Sequence, residues 1–309
     1  MRKHRTLALG ASLLALAVIA AACSSSGGGS STSPSAGSSS KPTIVVGVSG
    51  NFAENQLVAE MYAQVLEHAG YTVKREEDIL TRDVGNKALA DGDIDLKPEY
   101  TGFDLPLYNK NGVTNGPPAK VAAALKAAVA PHGLVTYAFS PANSTNVFVV
   151  LPSTASKYHL TDLSSLASVA GQLTLGAPSD CPTAAFCVPG LKSTYGITFK
   201  DVRSISSTTN TAVALQGGAI DVGELFSLDP TITQDHFTVL TDNKNLQADG
   251  NFIPVVRKQV ATPALGALLD SVTTTLTNDN MLAMVDKVQN QHQDVSAVAQ
   301  AYLQQQGLI

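Results

Sequence analysis

The sequence predicts an α/β protein of two lobes, each a mainly parallel sheet flanked by helices, joined by two crossing segments. Three observations lead there. The order strand, helix, strand, helix, strand is written once between residues 43 and 101 and again between residues 172 and 227. A phrase of the first round, LADGDIDLKPEYT (Leu89 to Thr101), returns 126 residues later as LQGGAIDVGELFS (Leu215 to Ser227). The offset matches Leu89 with Leu215, Gly92 with Gly218, Ile94 with Ile220, Asp95 with Asp221 and Tyr100 with Phe226. Finally, Leu134 to Pro152 is strand-like at both ends and broken by Pro141, as a passage between lobes would be, and Leu240 to Lys258 suits the return.

Ahead of the first strand the chain carries an address. MRKHR is a positive n-region, and TLALGASLLALAVIAAA is an apolar run too short and too alanine-rich for a permanent span, so residues 1–22 read as an export signal. Ala20, Ala21 and Ala22 put small residues before Cys23, which is expected to be acylated, although the leucine usual three places before such a cysteine is absent. A plain secretory signal followed by an unrelated cysteine is the alternative. Ser24 to Ser40 has no apolar residue larger than alanine or proline, cannot offset the entropy of ordering itself, and reads with Cys23 as a tether over residues 23–42. A Ser/Gly coil of 17 residues reaches roughly 20 to 25 Å, enough to hold a folded body clear of a bilayer.

The body begins with the β-branched run of KPTIVVGVSG, Lys41 to Gly50. Leu57, Val58, Met61, Val65, Leu66 and Ala69 then share one face of a helix, with Asn51 and Glu54 as its N-terminal cap and Gly70 as its stop. A strand near Thr72 to Glu76 leads to a helix ended by Gly92, and the repeated phrase closes the round. In the second round, strands are expected in Gln172 to Ser179, Phe199 to Ser206 and Ala219 to Ser227, with a helix over Asn210 to Gly218. From Thr262 to Ile309 the chain reads as helices: Leu265, Leu268, Leu269, Val272 and Leu276 lie on one face, and Asn278 caps the next. The lobes are therefore expected to be residues 43–144 with 251–309, and residues 145–250.

Composition narrows the function. The net charge of −5 is small, and the lysines and arginines are scattered, so no nucleic-acid surface is expected. Besides Cys23 only Cys181 and Cys187 remain, and outside the reducing cytosol a local disulfide is the economical reading. The six histidines show no metal spacing and neither cysteine has a second pair, so no metal or cofactor is expected.

In sheets of this kind ligands sit at the carboxyl ends of the strands. Tyr100 and Phe226 come just past their strands and are expected to form opposite walls of one cleft; core packing is the alternative for both rings. Asp95 and Asp221 are expected to hold loops by hydrogen bonds. Asp83, Glu99, Asp104, Asp180 and Asp229 stand near loop ends, where a carboxylate pairs as acid and base, offsets a ligand's charge, or is simply solvated or capping a helix.

Several stretches carry a resemblance: GNFAENQLVAEMYAQVLE, ALADGDIDLKPEYTG, APSDCPTAAFCVPGLKSTYGITF and VLTDNKNLQADGNFIPVVR. From about Thr43 to Leu308 the chain resembles the substrate-binding lipoproteins of ABC importers for glycine betaine, choline and carnitine. The resemblance implies a two-lobed periplasmic-binding-protein-like fold of type II and a clamp that hands a small solute to a membrane permease served by a separate ATPase. It also implies a lipid anchor on the extracytoplasmic face of the cell membrane, a monomer and no catalysis. A trimethylammonium group has no hydrogen-bond donor and is held by ring faces, each contributing about 0.5 to 2 kcal/mol. Phe52, Tyr100, Phe186 and Phe226 are the implied rings. Backbone around Asn51, together with Arg82, Asn143 and Thr145, would meet a ligand carboxylate; Asp83, Thr101, Asn146, Thr183 and Asp229 complete the candidate set. The chain departs from the family at Asn146, where an aromatic is common. It also lacks an arginine between Pro182 and Phe186, and it has no tryptophan. These departures leave open a less cationic or larger solute. Two other readings are an extracellular ligand sensor, and an enzyme on the same fold using Cys181 or Cys187 as nucleophile.

Overall fold

The repeated phrase marks the same corner of two five-stranded sheets. The computed structural model describes residues 41–309 except positions 51, 80 and 113, and of Asp78 the backbone only; residues 1–40, which hold the expected export signal, Cys23 and all but the last two residues of the expected tether, lie outside the described residues, as does Asn51. The chain runs β1 (Thr43–Ser49), α1 (Ala53–His68), β2 (Thr72–Ile79), α2 (Arg82–Asp91), β3 (Leu96–Tyr100), α3 (Thr101–Tyr108), α4 (Pro118–Val129) and β4 (Leu134–Thr136). It crosses over to form β5 (Asn146–Val150), α5 (Pro152–Tyr158), α6 (Leu163–Leu166), β6 (Thr174–Ala177) and α7 (Val188–Gly190). There follow β7 (Asp201–Ser204), α8 (Thr208–Gln216), β8 (Val222–Phe226), α9 (Thr231–Gln234) and β9 (Thr238–Leu240). The return strand is β10 (Phe252–Arg257), and α10 (Pro263–Thr273), α11 (Asn278–Gln289) and α12 (Val295–Gln305) end the chain.

The strand orders are β2-β1-β3-β10-β4 and β7-β6-β8-β5-β9. In each sheet the antiparallel member is the strand that has crossed from the other, β10 or β5, inserted between the third and last strands of the round. The remaining strands run parallel, because a strand-helix-strand unit brings the chain back in the same direction. Helix α1 buries Leu57, Val58, Met61, Val65 and Leu66 completely or nearly so, and α10 to α12 pack on it through Leu265, Leu269, Val272, Met281, Val285, Val298 and Leu303.

The two corners are built alike. Gly92 and Gly218 close their helices in the left-handed region, at φ 88° and 68°, where a side chain is strained. Ile94 and Ile220 are buried against glycines of β1 and β6: a Cβ on Gly47 would stand 2.7 Å from Ile94, and one on Gly176 would stand 2.4 Å from Ile220. The Asp95 carboxylate accepts the Val45 N–H at 3.0 Å, and that of Asp221 accepts the Thr174 N–H at 2.9 Å, serving the backbone of β1 and of β6. Asp95 also takes a hydrogen bond from Arg257 at 2.9 Å. Asp221→Ala is expected to destabilise by about 1 to 3 kcal/mol, the cost of leaving the Thr174 N–H unserved. A urea midpoint unchanged from wild type would assign that N–H to water instead.

Two helix starts differ from expectation by the same physics. Helix α1 is preceded by Phe52, which makes no side-chain cap, while Glu54 is drawn into the interior. Helix α11 is capped by Thr277 in a reciprocal box with Asn280; Asn278 instead accepts the N–H of Asn143 at 2.8 Å. A cap belongs to whichever polar residue the incoming chain direction leaves outside the helix.

Candidate functional site

A cavity of about 400 Å³ lies between the carboxyl-end loops of the two sheets, within the range of small-molecule sites. From the first sheet it is lined by Phe52 before α1, Arg82 at the start of α2, Glu99 and Tyr100 at the end of β3, and Phe103 in the first turn of α3. From the second sheet it is lined by Phe186 in the loop closed by the Cys181–Cys187 disulfide, by Glu224 and Phe226 of β8, and by Ser206, Ser207 and Thr208 where α8 begins. Tyr100 and Phe226 thus reach one cavity from opposite sheets.

Aromatic rings join the walls. Phe52 meets Phe226 edge-to-face with centroids 4.9 Å apart, and Phe103 meets Phe186 at 5.1 Å in the same manner, each pair taking one ring from each sheet. Tyr100 is also a core residue: it is 8% exposed, its ring lies 5.0 Å from that of Phe252, its partner across the strands, and its hydroxyl donates to Glu54 at 2.8 Å. The wall and core readings of this ring are therefore both realised at one residue.

The first wall holds a buried charge cluster. Glu99 accepts from Lys97 Nζ at 2.6 Å and from Arg82 Nε at 2.9 Å. Burial opposes the ionised form of Glu99, but the Arg82 and Lys97 charges outweigh it and hold the carboxyl well below the ordinary range. Burial likewise opposes the charged guanidinium of Arg82, yet Glu99 and Asp104 keep it protonated. Its charged end lies 5.9 Å from the Tyr100 ring and 5.7 Å from that of Phe103, and among the described residues its terminal nitrogens meet no acceptor. Asp104, fully buried, is raised by that burial and by Glu99. Burial raises Glu54 to about 7 despite hydrogen bonds from Ser144 and Tyr100.

Of the residues singled out in the sequence, Phe52, Arg82, Tyr100, Asn146, Phe186 and Phe226 line this cavity. Six others lie elsewhere. Asp83 is exposed beside a smaller cavity with Tyr108 and His132. Thr101 is buried and donates to the Asp249 carbonyl at 3.3 Å. Asn143 and Thr145 hold the crossing segments together, Asn143 accepting the Gly250 N–H at 3.0 Å and Thr145 donating to the Ala248 carbonyl at 3.1 Å. Thr183 is exposed and closes its own turn on the Asp180 carbonyl at 3.1 Å. Asp229 is buried and accepts the N–H of Thr231, two residues on, at 2.9 Å. All six are short polar residues near turns, and five of them, all but Asp83, are taken up by backbone groups. Asn51 lies outside the described residues, as does Cys23.

Sequence reasoning passed over Lys97, Phe103 and Glu224, and placed Glu54 only as a helix cap. The available signal was a charged side chain within an apolar strand: Lys97 and Glu99 in LKPEY, Glu224 in VGELF. A charge there is costly unless it serves a partner. Cys181 and Cys187 are bonded to one another, so neither sulfur is a free nucleophile.

Residues 42–305 match the family model described as the substrate binding domain of ABC-type glycine betaine transport system. The carnitine transport binding protein OpuCC of Listeria monocytogenes is 26% identical over 279 residues, covering 86% of this chain and 87% of that protein. The glycine betaine-binding protein YehZ of Escherichia coli is 24% identical over 267 residues, covering 82% of this chain and 88% of that protein. In fold, the chain is similar to lactococcal OpuAC in its closed, glycine betaine-bound conformation, with a TM-score of 0.62 at 17% identity, covering 86% of this chain and 97% of that one.

Proposed function

The chain belongs to the family of substrate-binding domains of ABC-type glycine betaine transport systems, and on that premise we propose that it captures a small quaternary-amine osmoprotectant in the cavity between its sheets. The single observation that carries this reading is that five rings, Phe52, Tyr100, Phe103, Phe186 and Phe226, line one cavity. The same space contains an arginine whose terminal nitrogens have no acceptor among the described residues. Ring faces suit a methylated cation, and Arg82 suits a carboxylate or a hydroxyl at the other end of the solute. Residues 43–144 with 251–309, and residues 145–250, are the two bodies that close on it. Closure is favoured because only the closed form lets the solute touch both walls.

The same proposal places the protein outside the cytoplasmic membrane as a monomer, anchored through Cys23 and its tether, delivering to an ABC permease without catalysis. A thermal-shift screen with glycine betaine, choline, carnitine, ectoine and proline tests it. At least one solute is expected to raise the melting temperature in proportion to the logarithm of its concentration. Phe226→Ala is expected to weaken that solute by about 1 to 3 kcal/mol. A solute that stabilises both forms equally would place the site elsewhere.

A further inference from the structure

Glu224 is a buried acid in the second wall that the fold itself does not satisfy. It is 5% exposed, and because side chains two apart in a strand share a face, it stands on the same face of β8 as Phe226. Among the described residues no N–H or O–H donor reaches its carboxyl. The contact it does make is with Cys187 Sγ at 3.1 Å, a disulfide sulfur with no proton to give. Buried polar groups in folded proteins are almost always hydrogen-bonded or paired. An acid left without either at the wall of a cavity is placed for a group that arrives with the ligand.

Resting on the reading of this cavity as the solute site, we propose that Glu224 is the counter-charge for the cationic group of the solute, which seats between Glu224 and the rings of Phe226 and Phe52. The O–H bond of the neutral carboxyl breaks as the cation arrives and the proton passes to bulk buffer, so one positive charge replaces another and nothing is oxidised or reduced. Burial and the neighbouring Asp180 raise Glu224 to about 8, which keeps the empty site protonated at neutral pH. Asp180 faces it from the loop after β6, and Arg82, Lys97 and Glu99 line the same cavity from the first sheet. The flanking β5, β6 and α8 carry no charged side chain. A bound cation favours the ionised form, so binding is expected to strengthen as pH rises towards about 8.

The test is isothermal titration of the protein with glycine betaine, choline and tetramethylammonium at pH 6 and pH 7, in two buffers of different ionisation enthalpy. Most of one proton should be released per cation bound at pH 7, and Kd should fall about tenfold between pH 6 and pH 7. Glu224→Gln should bind without releasing that proton and should lose most of the pH slope, which separates Glu224 from Glu54 and Asp104. The wild-type proton count does not depend on the variant folding. Cations that bind without proton release, or a Glu224→Gln form that keeps the slope, overturn the inference and leave the cavity reading standing. Binding of ectoine or proline alone, with no cation binding at either pH, does the same for a simple cation seat. No binding by any of these solutes overturns both readings together.

Discussion

Gly250→Ala is expected to destabilise the folded body by about 3 kcal/mol or more, a larger loss than any cleft substitution short of breaking a buried ion pair. Gly250 lies where the two crossing segments press together. A Cβ there would stand 1.4 Å from the Ser144 carbonyl oxygen, at covalent distance, and 3.1 Å from the Ser144 nitrogen. Both are backbone atoms of the other segment and cannot rotate aside as a side chain would. To admit the methyl group the segments must part. That strains the hydrogen bond from Ser144 N–H to the Gly250 carbonyl, 3.0 Å, and the one from Gly250 N–H to Asn143, also 3.0 Å. Steric overpacking alone costs about 1 to 3 kcal/mol in a core that can relax, and this contact is closer and stiffer. Urea unfolding of the variant measures the loss, and a value within about 1 kcal/mol of wild type would mean that the segments slide apart freely. The same movement would change the relative setting of the sheets, so any variant that folds should also bind its solute more weakly.

Glu99→Gln is expected to cost about 3 to 5 kcal/mol, the range found when one partner of a buried ion pair is removed. The side chains of Lys97 and Glu99 are 5% and 6% exposed, and Glu99 also accepts the Tyr100 N–H at 3.1 Å. A glutamine keeps the shape and removes the charge, leaving Lys97 and Arg82 both positive with no carboxylate between them. Asp104 offers partial compensation, because losing its negative neighbour lets it ionise more readily. The pH dependence identifies the cause. The Glu99 carboxyl is held below its ordinary range, so its contribution is full above that range and is lost as pH falls towards its native value. The difference in unfolding free energy between wild type and Glu99→Gln should therefore be largest at neutral pH and shrink below about pH 4. A difference that does not change with pH would point to packing rather than charge.

Much of the fold is written locally. Helix faces such as Leu57, Val58, Met61, Val65 and Leu66, the glycine stops at 92 and 218, and the parallel order of each round follow from periodicity and turn chemistry within a few residues. The likeness of the two rounds carried further, predicting hydrogen-bonding roles for Asp95 and Asp221 and a matched place for Tyr100 and Phe226. The candidate site was legible where an aromatic residue follows a strand, because strand ends point at the gap between sheets. It was not legible for polar residues in turns. Asn143, Thr145, Thr101 and Asp229 look from the sequence like ligand-binding groups, but each is taken up by a backbone group from a segment distant in sequence or by its own turn.

By itself, then, the order of residues determined which segments are strands and helices, that they come in two matched rounds, and which rings stand at strand ends. These depend on contacts within a helix turn or a strand repeat. Tertiary structure alone decided that Tyr100 serves the core as well as the wall, that Lys97, Glu99 and Arg82 form one buried cluster, and that Glu224 faces the cavity with no donor among the described residues. The physical reason is that the worth of a buried charge depends on which groups surround it, and those groups come from parts of the chain far apart in sequence.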